Sequence, residues 1–578
     1  MLRRLVAPVF YLTAIVALTW PVLREPTARI IGHDQSGAWR TLWAHWWTFD
    51  RLRRDGAWPL DAPEIGFPRG GAFSSIAPVN DALSLPLQPL VGLVGAYNGV
   101  VIFHWLLACM GAFLLGRAAG LSRSGATVTG VVFGFNSFLL TYGIGSAVVE
   151  TSTQGWLVCF LASMVWLVRK PGVIPAVVTG LLFAVTALAS FYWALIAGLL
   201  SPLLAFVYLW EHRSDLRPRL IWSAASLGIA VLAFTPPVLV LLGTYEGGGA
   251  LLQDYALRKQ ALTRPEVMTD LTHDFATLQG SLLPGAEQLA VTKDMDRLFQ
   301  STYLGWVALG LGWFGMRWGR LRWAAIGGIA LVLSFGPFVF IAADSWAEDP
   351  IWWWQLLRDL VPPSRMITSY VRFAVVAFVG LAVLAGAGVD RLGRFLPAPL
   401  VAAVAALAVL AELHFVSPVP TPIPSAAARV PEVSKRLAEL PLEGAVLDWP
   451  QRFEGEMVEL ARYFYYQSAH GRPIPYDFAP TSYMSAPIET NPFFLELERR
   501  TYGADYKSTA RLELDTVPLE RGVQDLEAMG FAYLVVHIPE VAQSHRAALI
   551  AWLDSSLPVV LRLDDAVVYA LGSTSRSP

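Results

Sequence analysis

Apolar stretches of about 20 residues, the length that a bilayer crossing needs, recur along the chain. They cover 5–23, 98–117, 124–143, 152–168, 174–190, 192–210, 220–242, 301–316, 323–341, 370–389 and 397–416. The polar connections between them alternate in kind. One set is short and basic: Arg3 and Arg4; Arg117 and Arg123; Arg169 and Lys170; Arg213, Arg217 and Arg219; Arg317, Arg320 and Arg322; Arg391 and Arg394. Every second connection belongs to this set. The positive-inside rule therefore places all of them, with the N-terminus, in the cytoplasm. An odd number of spans puts the C-terminal region outside. The long connections, 24–97, 243–300 and 342–369, then share the outer face. Polar chemistry gathers on one side, whereas a channel would carry charge inside its spans.

Beyond residue 416 the pattern changes. Pro418, Pro420, Pro422 and Pro424 make 417–430 a stiff, extended linker. From 431 to 578 helical and strand patterns alternate. Strands are expected over 445–449 and 531–537, and as a hairpin over 559–562 and 567–570. Helices are expected over 456–468, 519–529 (stopped by Gly530) and 541–553. The expected architecture is a mostly α membrane protein: about eleven transmembrane helices in 1–416, then an extracytoplasmic α/β domain in 431–578.

Composition sharpens this picture. Of 578 residues 55% are hydrophobic and only 15% charged, against about 25% charged in soluble proteins. A net charge of -2 gives no support for nucleic-acid binding. Cys109 and Cys159 lie in apolar runs and read as small buried hydrophobes, not as a disulfide. The Met-Leu-Arg-Arg start resembles a signal peptide. No small-residue cleavage site follows Trp20-Pro21, so the first apolar run is expected to be a retained helix.

Candidate chemistry starts with His33-Asp34, just past the first span. Trp39, Leu42, Trp43 and Trp46 follow on one helical face. Indoles on one side and polar groups on the other predict a helix lying in the membrane interface. A carboxylate at that edge suits a general base that takes a proton from an acceptor hydroxyl. Capping the following helix is the other reading of Asp34. His33 could orient the acid, although a lone loop histidine is commonly just solvated. Asp81 opens a half-apolar segment too short to cross, and Glu150 sits at the outer end of a span. Acids there face water or a cavity. His273-Asp274 offers a second polar pair, with a plain loop as the commoner outcome. Asp294-Met295-Asp296 has the spacing that holds a hard divalent cation, Mg or Mn, a pattern also frequent by chance. Arg365 and Arg372, seven residues apart, share a helical face if the helix starts early. A guanidinium fork binds phosphate, or else the pair anchors the helix at the interface.

These residues resemble the GT-C superfamily of membrane glycosyltransferases, and within it a bacterial polytopic group. The resemblance rests on His33-Asp34 with Trp43-Ala44-His45-Trp46-Trp47, on Phe67-Pro68-Arg69-Gly70-Gly71, and on Pro86-Leu87 through Tyr97-Asn98. It also rests on Leu333-Ser334-Phe335-Gly336-Pro337 and on Pro363-Ser364-Arg365 with Val371-Arg372-Phe373. It implies a polyprenyl-phosphate sugar donor, the bacterial inner membrane, and Asp34 as the base. No second acid is matched, so the resemblance leaves a metal open. The expected function is inverting transfer of a sugar to a glycan, lipid or protein acceptor, with Arg372 on the donor phosphate. A flippase for lipid-linked glycan is the alternative from another class. The chain shows no repeat and nearly charge-free span centres, which disfavours it. A non-catalytic envelope assembly factor is the third reading.

Overall fold

The computed structural model describes residues 2–34, 36–72, 77–245, 276–284, 301–317, 320–337, 369–451, 459–476, 490–502 and 519–571, with a few isolated positions. The chain divides into two compact units. Met1–Ala38, Ser75–Leu242 and Tyr255–Ala428 form the first; Trp39–Ser74, Gly243–Asp254 and Arg429–Pro578 form the second.

The first unit is a helical bundle. Its apolar helices are α1 (Leu2–Leu18), α2 (Gln88–Ala118), α3 (Arg123–Gly134), α4 (Gln154–Arg169), α5 (Val173–Ala189) and α6 (Phe191–Glu211). They continue with α7 (Leu216–Tyr245), α8 (Trp306–Gly315), α9 (Leu321–Ser334), α10 (Ala374–Leu392) and α11 (Ala398–Phe415). Each expected apolar stretch holds one of them. Among the described residues, six helical stretches are long and apolar enough to cross a membrane, and a seventh qualifies if α3 and the π-helix Leu139–Gly145, bent by 55°, count as one span. Four others are shorter: Leu5–Leu18, Val173–Ala189, Trp306–Gly315 and Leu321–Ser334. The count of eleven crossings therefore stays an expectation, while a multi-pass membrane protein is established.

α10 is the buried centre of the bundle, with Ala374 through Val389 all buried. Small residues let its neighbours approach closely. A methyl group at Gly386 would overlap the Gly125 carbonyl of α3, and one at Gly388 would overlap Leu311 of α8. The break after α3 frees backbone groups that lipid cannot satisfy, so side chains must do so. Asn136 Oδ1 accepts from Leu139 N at 2.8 Å. Ser137 Oγ donates to the carbonyls of Ser301 and Tyr303, and Thr141 Oγ1 accepts from Ser301 N at 3.0 Å. Glu412 on α11 accepts from Tyr303 OH at 2.6 Å and from Val307 N at 2.9 Å, capping α8.

Two short strands complete this unit. β1 (Arg29–Ile31) pairs antiparallel with β2 (Ser425–Ala427), Ile30 opposite Ala426. The proline-rich stretch, expected to be a linker, therefore ends bonded to the bundle. Gly32 N also donates to Pro424 O at 2.8 Å. Asn98 of α2 holds β1 from the side. It accepts from Ile31 N at 2.9 Å and donates to the carbonyls of Pro26 and Arg29.

The second unit is built on a four-stranded sheet. β3 (Ala445–Trp449) and β4 (Phe531–His537) run parallel, with Leu447 opposite Leu534. β5 (Val559–Arg562) and β6 (Ala566–Ala570) form a hairpin, and the strand order is β3-β4-β6-β5. Val446, Val535 and Val568 meet Val433 and Leu437 in the core. The helix Ala38–Asp55 belongs to this unit apart from its first residue. Trp39, Leu42 and Trp43 share its buried face, as the spacing requires. Their partners are protein and not lipid headgroups. Trp43 Nε1 donates to Gln467 Oε1 at 2.6 Å, and Trp39 lies 5.4 Å from the Tyr465 ring. The interfacial reading gives these rings to lipid; instead they pack on protein, and Trp43 Nε1 bonds a side chain 424 residues downstream, which periodicity cannot reveal.

Candidate functional site

β1 ends by delivering the chain into a tight loop, Gly32–Gly37, that carries His33 and Asp34. Backbone bonds dock this loop on the end of the π-helix. His33 N donates to Gly145 O at 3.0 Å, and Gly37 N to Ser146 O at 3.0 Å. Both glycines are needed. Gly32 has φ +122°, and a Cβ on Gly37 would lie 2.9 Å from Ala147 O. Ala147 itself sits at φ +51°, a conformation that costs a non-glycine residue about 1 kcal/mol or more. The docking segment is thus held tightly and under strain. Asp34 is exposed and His33 half-buried. The helix that follows starts at Ala38, so Asp34 lies upstream of the capping position. Ser36 Oγ accepts from Ala38 N at 3.4 Å instead.

Three residues past Ala147 comes Glu150, in the one-turn helix Val149–Ser152. Gly145 and Glu150 are five residues apart, so their Cα atoms are separated by at most about 18 Å. Trp193 pins this turn to α6: its Nε1 donates to Glu150 O at 2.6 Å and to Thr153 Oγ1 at 3.1 Å. The Glu150 carboxylate faces Arg372, with Nη2 to Oε1 3.5 Å. That is longer than the roughly 2.8 Å of a charge-assisted hydrogen bond. The Arg372 guanidinium lies over the Tyr192 ring, 3.7 Å from its centroid. Arg372 is only 7% exposed, and it sits in the turn Tyr370–Phe373 that starts α10. A cation at a helix N-terminus opposes the macrodipole. Buried there, it calls for an anion beside it. Glu150 supplies one, at a distance that leaves it displaceable.

The structure therefore brings Glu150 and Arg372 together, on the segment where the Asp34 loop docks. Asp81 is buried, in the first turn of the short helix Pro78–Ser84. His273, Asp274, Arg365, Asp294 and Asp296 lie outside the described residues. Among the described residues no three histidine, cysteine or acidic side chains gather as a metal would require. Tyr192 and Trp193 were missed by the sequence reading. The aromatic triplet Phe191-Tyr192-Trp193, set where one apolar run meets the next, was their only signal.

A bundle of apolar helices with an acid-bearing first loop and an α/β unit defines a class of polytopic membrane proteins. The comparisons narrow it. No protein-family model and no curated protein matches the chain. Solved structures do. The archaeal oligosaccharyltransferase AglB from Archaeoglobus fulgidus, in complex with an inhibitory peptide and a dolichol-phosphate, matches at TM-score 0.52 and 12% identity, over 92% of this chain and 69% of its own. The arabinofuranosyltransferase AftD from Mycobacteria matches at TM-score 0.55 and 16% identity, over 99% of this chain but 41% of its own. ArnT from Cupriavidus metallidurans bound to undecaprenyl phosphate aligns at TM-score 0.43, with 13% identity. The chain shares its fold with the oligosaccharyltransferase and the arabinofuranosyltransferase.

Proposed function

We propose that this protein is a membrane glycosyltransferase moving a sugar from a polyprenyl-phosphate donor to an acceptor hydroxyl on the outer face of a bacterial inner membrane. The N-terminus would be cytoplasmic, with up to eleven crossings. The carrying observation is Arg372: a buried cation at the wrong end of a helix, stacked on Tyr192 and loosely paired with Glu150. A phosphate is a better partner for its planar fork than the single contact it makes with Glu150. The fold shared with the oligosaccharyltransferase, and the dolichol-phosphate that protein was solved with, support the same reading.

In this mechanism Arg372 takes the donor phosphate, and Tyr192 keeps the guanidinium flat against it. Asp34, exposed on its docked loop, accepts the proton of the acceptor hydroxyl. The freed oxygen attacks the anomeric carbon from the face opposite the phosphate. The carbon–oxygen bond to phosphate breaks, and polyprenyl phosphate leaves with an added negative charge. Arg372 stabilises that charge as it develops. The anomeric configuration is inverted.

The test is transfer of a labelled sugar from polyprenyl-phosphate donors by the purified protein in lipid, beside Asp34→Asn. We expect turnover by the wild type and its loss in a folded Asp34→Asn. Equal turnover in both would remove Asp34 from the mechanism. Donor carried across the bilayer without transfer would support the flippase reading.

A further inference from the structure

On the reading of Arg372 as the group that takes the donor phosphate, its site must bind one charge and release another. A polyprenyl-phosphate sugar is a phosphodiester and carries a single negative charge. The polyprenyl phosphate left after transfer is a monoester and carries roughly −1.5 to −2 at pH 7. A cation placed to stabilise the charge that develops therefore holds the product more tightly than the donor. With nothing to oppose it, Arg372 would make product release slow.

Glu150 is an anion built into this site. Its carboxylate lies 3.5 Å from Arg372 Nη2, and its side chain is partly exposed while that of Arg372 is buried. Its backbone is fixed. Trp193 Nε1 donates to Glu150 O at 2.6 Å, and Thr153 Oγ1 donates to the same oxygen at 2.7 Å. The residues that follow, Thr151 to Gln154, are buried. The freedom that remains is in the side chain, which can rotate toward water or return to Arg372. Tyr192 covers a face of the guanidinium, so anions meet Arg372 along its edge, where Glu150 already stands. At the opposite end of α6 a cation is held differently. Arg169 lies 5.6 Å from the Tyr208 ring centroid and donates to Ala118 O at 2.6 Å. That carbonyl is a neutral, immobile partner, whereas Glu150 is a charged and movable one.

We infer that Glu150 drives product release: it yields Arg372 to the singly charged donor and reclaims it from the more highly charged polyprenyl phosphate. A carboxylate tethered beside the cation competes with any bound phosphate as an internal ligand at high effective concentration. It also repels that phosphate, and Coulomb repulsion grows with the charge it meets. The second charge gained in the reaction therefore turns the balance at Arg372 from the lipid back to Glu150. Glu150 is a positioning residue in this scheme. It acts on the phosphate through Arg372 and makes no bond to a reacting atom.

The test measures release and not turnover. The full chain, purified in a neutral detergent, is loaded with labelled undecaprenyl phosphate or with its methyl ester, a phosphodiester that carries the donor's single charge. Dissociation rates are read in a chase with unlabelled lipid. From Glu150→Gln, undecaprenyl phosphate should leave about tenfold more slowly than from the wild type, and the methyl ester about threefold more slowly at most. Glu150→Asp keeps the charge one methylene further away and guards against misfolding of the neutral variant; its rates should fall between. An unchanged release of undecaprenyl phosphate from both variants would overturn the inference and leave Arg372 as a phosphate ligand. So would an equal slowing of the two lipids. Faster release of both would make Glu150 a structural support and overturn it too. Arg372→Gln tests the phosphate site by itself and should fail to retain either lipid. If it retained them as the wild type does, the phosphate would lie elsewhere, and the donor site and the release role would fall together.

Discussion

Both ends of α6 present a tyrosine to an arginine, yet the two ends differ in what holds the cation. At the far end the arginines sit mostly where a helix wants them. Arg169 and Arg391 occupy the last turns of α4 and α10 and donate to backbone carbonyls, Arg391 Nη1 to Phe314 O at 2.9 Å. A cation there satisfies orphan carbonyls and the macrodipole together. Arg372 has neither advantage. It starts its helix, is buried, and leans on a carboxylate 3.5 Å away. The fold stabilises the first kind of arginine and only tolerates the second. A charge retained where the fold disfavours it marks the place where a ligand is expected to compensate it, the usual stability–function trade-off.

The largest expected effect falls on Asp34. Asp34→Asn should lower transfer by about 10²- to 10⁴-fold, the usual worth of a general base. Its unfolding temperature should not change, because Asp34 is exposed. Arg372→Gln comes next, with kcat/KM lower by about 10²- to 10³-fold, as when one stabiliser of transition-state charge is removed. Polyprenyl phosphate should protect the wild type from heat and not this variant. Arg391→Gln should leave turnover unchanged. If Arg391→Gln and Arg372→Gln lost equal activity, the two ends would not differ in function, and the comparison would break.

Acid should act through a third region, and separating it sharpens the comparison. His470, in the second unit, is buried, and that burial pushes its pKa down to about 4 against a small upward pull from Asp448. Its Nδ1 accepts from Arg472 N at 3.1 Å, so the neutral ring carries its proton on Nε2. The unfolded chain takes up a proton near pH 6.5 and the folded chain does not until about pH 4. Stability of this unit is therefore full above pH 6.5 and falls as pH drops, by up to about 1.4 kcal/mol per pH unit, roughly 3 kcal/mol by pH 4. His470→Asn, which keeps an acceptor near Nδ1, should flatten that slope in a pH series of thermal unfolding. An unchanged slope would exclude His470. Activity lost in acid by the wild type and regained in His470→Asn would belong to unfolding and not to Asp34.

How far the sequence revealed this arrangement depends on the range of each signal. The apolar helices were legible because their cause is local: about 20 residues facing lipid leave a run of apolar letters. β3, β4 and β6 were legible for the same reason, through buried β-branched runs such as Val535-Val536 and Val567-Val568. β1 and β2 were not. Each has only three residues, and they pair across almost 400 positions through Asn98 and backbone groups. The tryptophan helix shows the limit most plainly. Trp39, Leu42 and Trp43 are buried as expected, but Trp46 is only partly so, and Thr41 and Thr48, expected on the other side, are buried too; periodicity states that a face is buried and not by what. Asp34, Glu150 and Arg372 were singled out as charges at the ends of apolar segments. Their grouping depended on the strained turn at Ala147 and on Tyr192 and Trp193, and none of these leaves a mark in composition.

The smallest effect separates the two ends most cleanly. Arg391→Gln removes a cation from a helix C-terminus, a bond to Phe314 O and a guanidinium 4.5 Å over the Phe314 ring. It should destabilise by about 0.5–1 kcal/mol. Arg372→Gln removes a cation from a helix N-terminus, where the dipole opposed it, and leaves Glu150 22% exposed and able to meet water. Its stability without donor should fall by no more than that of Arg391→Gln, the lost stacking on Tyr192 being set against the relieved dipole, even as its activity collapses. Thermal unfolding of both variants in donor-free lipid decides the matter. A larger loss in Arg372→Gln than in Arg391→Gln would make Arg372 a structural prop, with Glu150 as its permanent partner. The argument from its misplaced charge to a bound phosphate would then fail.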